Sequence, residues 1–177
     1  MKPTPEQPIS HSPPAPRSWR GRLLAALLPL LLATPAAIGS DATGAPVLEV
    51  QQLDGSRLTL ADTRGAITVV VFWSAESLAS RKSLGELQRF AALPEQREIR
   101  IIAVSTLNDA GQLRHFASER QLDLPLAILG LTNLGPFPEP SLPHIHVFDR
   151  SGRLHASHRG LFRLQTLDAM VAPLRRP

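Results

Sequence analysis

The 177-residue chain reads as an α/β protein, a three-layer α/β/α sandwich on a mixed central sheet with an N-terminal β-hairpin. Three observations predict it. Two apolar runs rich in β-branched residues, ITVVVFW at 67–73 and IRIIAVS at 99–105, have the composition of strands buried on both faces. Each is followed by a segment with apolar residues at helical spacing. Further on, two short strand-like segments flank Asp149-Arg150-Ser151-Gly152, an antiparallel hairpin with an Asp and a Gly placed for the turn.

Taken in order, residues 46–60 alternate apolar and polar side chains around Asp54-Gly55, a dipeptide suited to a tight hairpin turn. The run 67–73 is a central strand. Residues 77–93 place Leu84, Leu87, Phe90 and Ala91 on one helical face and stop at Leu93-Pro94. The run 99–105 is the second buried strand, and 110–120 the second helix, with Leu113, Phe116 and Ala117 on one side. Residues 124–142 hold a short apolar segment, a glycine-rich stretch and the loop Gly135-Pro136-Phe137-Pro138-Glu139-Pro140, and read as irregular. Strands at 144–148 and 153–159 and a terminal helix at 164–174 complete the chain. Strands buried on both sides need apolar cover on both, hence helices on either face and right-handed crossovers.

The N-terminal region is a separate matter. Residues 1–22 are rich in proline and polar side chains, the composition of a disordered basic tail, and 23–39 begin with about 15 uncharged residues and end on Ala37-Ile38-Gly39, small residues at a spacing that signal peptidases favour. The segment is expected to be a cleaved export signal or a retained membrane anchor, which leaves 40–177 as the folded domain. Export places that domain in the periplasm, or on the cytoplasmic membrane facing it. Lys2, Arg17, Arg20 and Arg22 stand against Glu6 alone in the leader, so 40–177 carry 15 basic and 14 acidic residues and the high isoelectric point is no sign of nucleic-acid binding. With no cysteine in the chain, disulfides, thiol catalysis and thiolate metal sites drop out together.

Three ordered segments carry a resemblance: VVVFWSAESLASRKSLGELQRF at 69–90, IIAVSTLNDAGQLRHFASERQLDLPLAIL at 101–129 and SLPHIHVFDRSGRLHASHRG at 141–160. Together they resemble the TlpA/ResA type of exported thioredoxin-like proteins, redoxins of the AhpC/TSA kind. The resemblance implies a thioredoxin-like fold. In that family a Cys-x-x-Cys motif opens the first long helix; here Ser77-Leu78-Ala79-Ser80 stands there, a degenerate remnant of the redox motif at Ser77 and Ser80. Glu76 and Ala79 replace the neighbouring residues common in the family, so the site is remodelled beyond its two sulfurs. Thiol–disulfide exchange needs a thiolate, which serine cannot supply. Pro143 falls where the family has a cis-proline facing the redox site.

No residue is therefore assigned a catalytic role and no cofactor is expected. Ser77 reads as a helix N-cap, since a hydrolase nucleophile would need a base, an orienting acid and an oxyanion hole, and no Gly-x-Ser-x-Gly elbow surrounds it. The expected function is to bind or scaffold a partner protein in the cell envelope, in assembly of an envelope complex by family analogy. An extended segment would lie along a groove of Trp73, Glu76, Ser77, Phe137, Leu142, Pro143 and His144, because strand addition uses main-chain hydrogen bonds and survives the loss of cysteine. A rival expectation rests on His144, His146, His155 and His158, which sit on two adjoining strands and could hold copper or zinc. The Sco-type copper chaperones share the fold, although they use two cysteines as well as a histidine.

Overall fold

The structure is a computed structural model that describes residues 44–175. The expected basic tail at 1–22 and the export or anchor segment at 23–39 lie outside the described residues. No helix among those described is long and apolar enough to cross a membrane.

Strands β1 (Leu48–Gln52) and β2 (Arg57–Thr59) form the expected antiparallel hairpin. Gly55 takes φ 89°, which the turn requires and a side chain would resist. Asp54 holds the turn from inside, its carboxylate accepting from the backbone N–H and hydroxyl of Ser56. Next come β3 (Ile67–Trp73), helix α1 (Leu78–Ala91), β4 (Ile99–Ser105) and α2 (Ala110–Glu119). β3 is buried along its whole length, as its unbroken apolar run requires. A terminal hairpin, β6 (His144–Phe148) and β7 (Leu154–Arg159), leads into α3 (Leu164–Val171).

The segment 124–142 departs from its irregular reading, because a seven-residue strand, β5 (Leu126–Thr132), runs through it. β5 pairs parallel to β4 over three residues and antiparallel to β1, with a register shift between Leu48 and Val50. The glycine in that stretch is what pairing demands: a Cβ on Gly130 would stand 2.7 Å from the Glu49 carbonyl oxygen. The sheet order is β2-β1-β5-β4-β3-β6-β7.

That order decides where the helices go. The chain steps from β3 to β4 to β5 in one direction across the sheet, so two right-handed crossovers carry α1 and α2 to the same face. There Leu84, Leu87 and Phe90 of α1, Leu113 of α2 and Leu167 and Val171 of α3 cover Val69, Val71, Trp73, Ile101 and Ala103. The opposite face gathers Val50, Val70, Phe72, Ile102, Val104 and Phe148. Its outer layer is not an α-helix but Leu60 from a 3-10 turn, with Leu134, Phe137 and Leu142 from the loop that follows β5. The protein thus has the thioredoxin-like fold with two apolar sheet faces, one roofed by helices and the other by irregular chain.

Candidate functional site

β3 delivers the chain to a turn whose polar groups are nearly all spoken for. Ser77 caps α1: its hydroxyl oxygen accepts from the Ser80 N–H at 3.2 Å. The Ser80 hydroxyl, fully buried, accepts from the Ser74 N–H at 3.3 Å, and the Ser74 hydroxyl accepts from the Glu76 N–H at 3.2 Å. Arg81 donates through Nη1 to the carbonyls of Ala75, at 2.6 Å, and Glu76, at 3.1 Å. Both remnant serines therefore brace the turn, and among the described residues neither hydrogen-bonds to a histidine.

Across from this turn lies the Leu142–Pro143 peptide, which is cis. The Ser77 hydroxyl donates to the Leu142 carbonyl at 3.3 Å, the Leu142 N–H donates to Glu139 O at 3.2 Å, and Gly160 N–H donates to Pro143 O at 2.7 Å. Strand addition at this dipeptide consequently meets no free main-chain group. The cause is local, since the 3-10 turn Glu139–Ser141 takes the one N–H that proline leaves available.

The other groove candidates are mostly interior. Trp73 is 0% exposed and packs on the helix face against Phe116, ring centroids 5.3 Å apart, so it does not border a groove. Leu142, Pro143 and His144 are buried, and Phe137 is half-buried, stacked on Phe72 at 3.9 Å. Glu76 is exposed and Ser77 half-buried. Two residues outside the expected set are exposed beside them: Leu78 at 58% and Leu161 at 55%. Leu78 follows Ser77, and Leu161 follows Gly160, so each is one residue from a group bonded to the cis dipeptide. Leu78 shows in the sequence as an apolar residue at a helix start, but that it and Leu161 each adjoin a residue bonded to the cis dipeptide comes only from the fold.

The histidines separate. Across the β3–β6 ladder His144 opposes Phe72 and His146 opposes Val70, which puts both under the irregular roof. His158 opposes Ile145, a residue of the helix-covered face, and exposed His155 falls in the bulge where the β6–β7 register skips it. Among the described residues no group of three or more His, Cys, Asp or Glu is placed to hold a metal. The four-histidine expectation misses because it assumes a regular hairpin with one shared face.

His144 Nε2 lies 2.8 Å from Ser141 Oγ, whose own proton goes to Pro138 O, also at 2.8 Å. The imidazole is accordingly the donor. Burial, with Arg159 nearby, pushes its pKa down against the bond to Ser141. His146 goes further, to about 4, through burial first and then His144 and Arg159. Among the described residues neither of its ring nitrogens has a hydrogen-bond partner, and Phe72, Phe137 and Phe148 surround it, with centroids at 5.7, 6.4 and 6.4 Å.

Residues 42–128 match the model of the AhpC/TSA family. No curated protein matches the chain at the level of sequence. Among solved structures, StoA from Bacillus subtilis is 14% identical with a TM-score of 0.58, the match covering 72% of this chain and 98% of that one. A secreted thiol-disulfide isomerase from Corynebacterium glutamicum is 16% identical with a TM-score of 0.61, over 73% and 84% of the two chains. A DsbF homologue from Corynebacterium diphtheriae is 18% identical with a TM-score of 0.61, over 80% and 96%. At such identities the likeness is one of fold.

Proposed function

Because the chain is a thioredoxin-like redoxin of the AhpC/TSA type with no cysteine, we propose that it has left thiol chemistry and serves as a partner-binding protein of the cell envelope. One observation carries this reading: Ser77 and Ser80 are both consumed in bracing the turn before α1. A hydroxyl so held has neither the acidity to become a nucleophile at neutral pH nor a sulfur with which to form a mixed disulfide. The exposed side chains next to the residues that bond the cis dipeptide are Glu76 and two leucines, Leu78 and Leu161. Where exposed apolar side chains gather into a patch rimmed by polar residues, the patch marks an interaction site.

The partner docks, on this reading, by side-chain contact with that patch rather than by adding a strand. Export is supported by the leader at 23–39 and by the setting of the secreted isomerase that shares the fold. Two measurements test the proposal. Purified protein is expected to leave insulin disulfides intact under conditions in which a thioredoxin reduces them, and any turnover there sinks the redox-inactive reading. A photo-cross-linker at Leu78 or Leu161 in membrane-localised protein should trap one defined envelope protein. The adduct should vanish with Leu161→Asp read from a cross-linker at Leu78. Both leucines are exposed, so the melting temperature should stay within a few degrees.

A further inference from the structure

A cleft lies between α1 and the end of α2. Arg81, Leu84 and Gly85 on one side and Phe116, Arg120 and Leu122 on the other enclose about 160 Å³. Its floor is apolar: Leu84 belongs to the core, and Phe116 packs against Trp73. Its two polar groups are both guanidinium ions. Arg120 lies over the Phe116 ring, with Cζ 5.6 Å from the centroid, and Arg81 is fixed by its bonds to the carbonyls of Ala75 and Glu76.

Neither arginine is in an ion pair among the described residues. The nearby acids are engaged or lie outside the cleft. Glu119 pairs with His115 at 3.3 Å, Glu86 with Arg89 at 2.8 Å, and exposed Glu76 offers Arg81 only its backbone carbonyl. The first turn of α1 carries no acidic residue, so the positive end of the helix adds to the charge of Arg81 instead of being offset. Two uncompensated guanidinium ions over an apolar floor define the complementary ligand.

We infer that this cleft binds a carboxylate carried on a short aliphatic or aromatic group, with Arg81 and Arg120 receiving the carboxylate and Leu84, Phe116 and Leu122 the tail. The site does not depend on the partner-binding reading and stands or falls without it. Free short-chain acids and peptide C termini share this chemistry, and the test separates them.

The ¹⁵N-labelled full chain is titrated with hexanoate, with N-acetyl-leucine as a mimic of a peptide C terminus, and with neutral 1-hexanol. Saturable shifts at Arg81, Gly85 and Arg120 are expected with at least one acid, and at least tenfold weaker binding of hexanol. Tighter binding of N-acetyl-leucine assigns the site to peptide termini; tighter binding of hexanoate assigns it to free acids. Arg120→Gln and Arg81→Gln should each weaken binding about tenfold, the worth of one charge-assisted contact. Gly85→Leu should abolish it. A Cβ at Gly85 meets nothing within 4 Å, and leucine is the better helix former, so that variant keeps its melting temperature. The inference is overturned if neither acid saturates, if hexanol binds as well, or if folded Gly85→Leu or Arg120→Gln binds like the parent.

Discussion

Ser77 shows how one side chain can change its occupation while keeping its place. Its oxygen accepts from Ser80 N–H and its proton goes to Leu142 O, so it ties the start of α1 to the cis dipeptide 65 residues later in the chain. Removing it costs an N-cap and leaves a half-buried carbonyl short of a donor, together about 1–2 kcal/mol. Ser77→Ala should lower the midpoint of chemical denaturation by that amount with an unchanged slope, whereas Ser77→Thr should recover most of it. At this scale the sequence was informative: the capping role of Ser77 was legible from its place before a helical pattern, and the place of Pro143 from the family resemblance. The burial of Pro143 and His144 was not, because their depth depends on what the distant loop 133–142 lays over the sheet.

Among elements, that loop deserves the comparison with a helix whose work it does. Phe137 is its anchor, stacked on Phe72 and close to both His144 and His146. Truncating a half-buried aromatic anchor of this kind costs about 3 kcal/mol. Phe137→Ala should therefore destabilise markedly and raise amide exchange in β6, while α1 to α3 on the far face hold their protection until global unfolding. The strands of the βαβ core could be read directly, since a run such as ITVVVFW is buried on both sides wherever it pairs. β5 escaped because only its first three residues are buried. Its second half is a strand by virtue of β1, and Gly130, which resembles a breaker in isolation, is there to let the two backbones approach.

For the whole molecule the buried imidazoles set a pH dependence. His146 takes up a proton near pH 6.5 when unfolded but only near pH 4 when folded, because burial and the charges of His144 and Arg159 oppose it. Between those values the unfolded chain binds more protons, so stability is complete above about pH 6.5 and is lost as pH falls toward 4. His144 is shifted in the same direction. The loss should be on the order of 2 kcal/mol after allowance for partial exposure. It should show as a lower unfolding free energy at pH 4.5 than at 7.5, and His146→Phe should shrink that difference. The fold class was legible at this scale because alternating elements in order leave few topologies. The placement of α1 and α2 on one face followed from strand order, which no local segment encodes.

The bulge at His155 bears on how the chain behaves among copies of itself. β7 is the longer of the two outer strands, and an incoming strand would find its ladder broken where the register skips that residue. The other border, β2, is only three residues long. A sheet bounded in this way offers poor templates for fibril growth, which suits a domain that has no disulfide to hold it closed during folding.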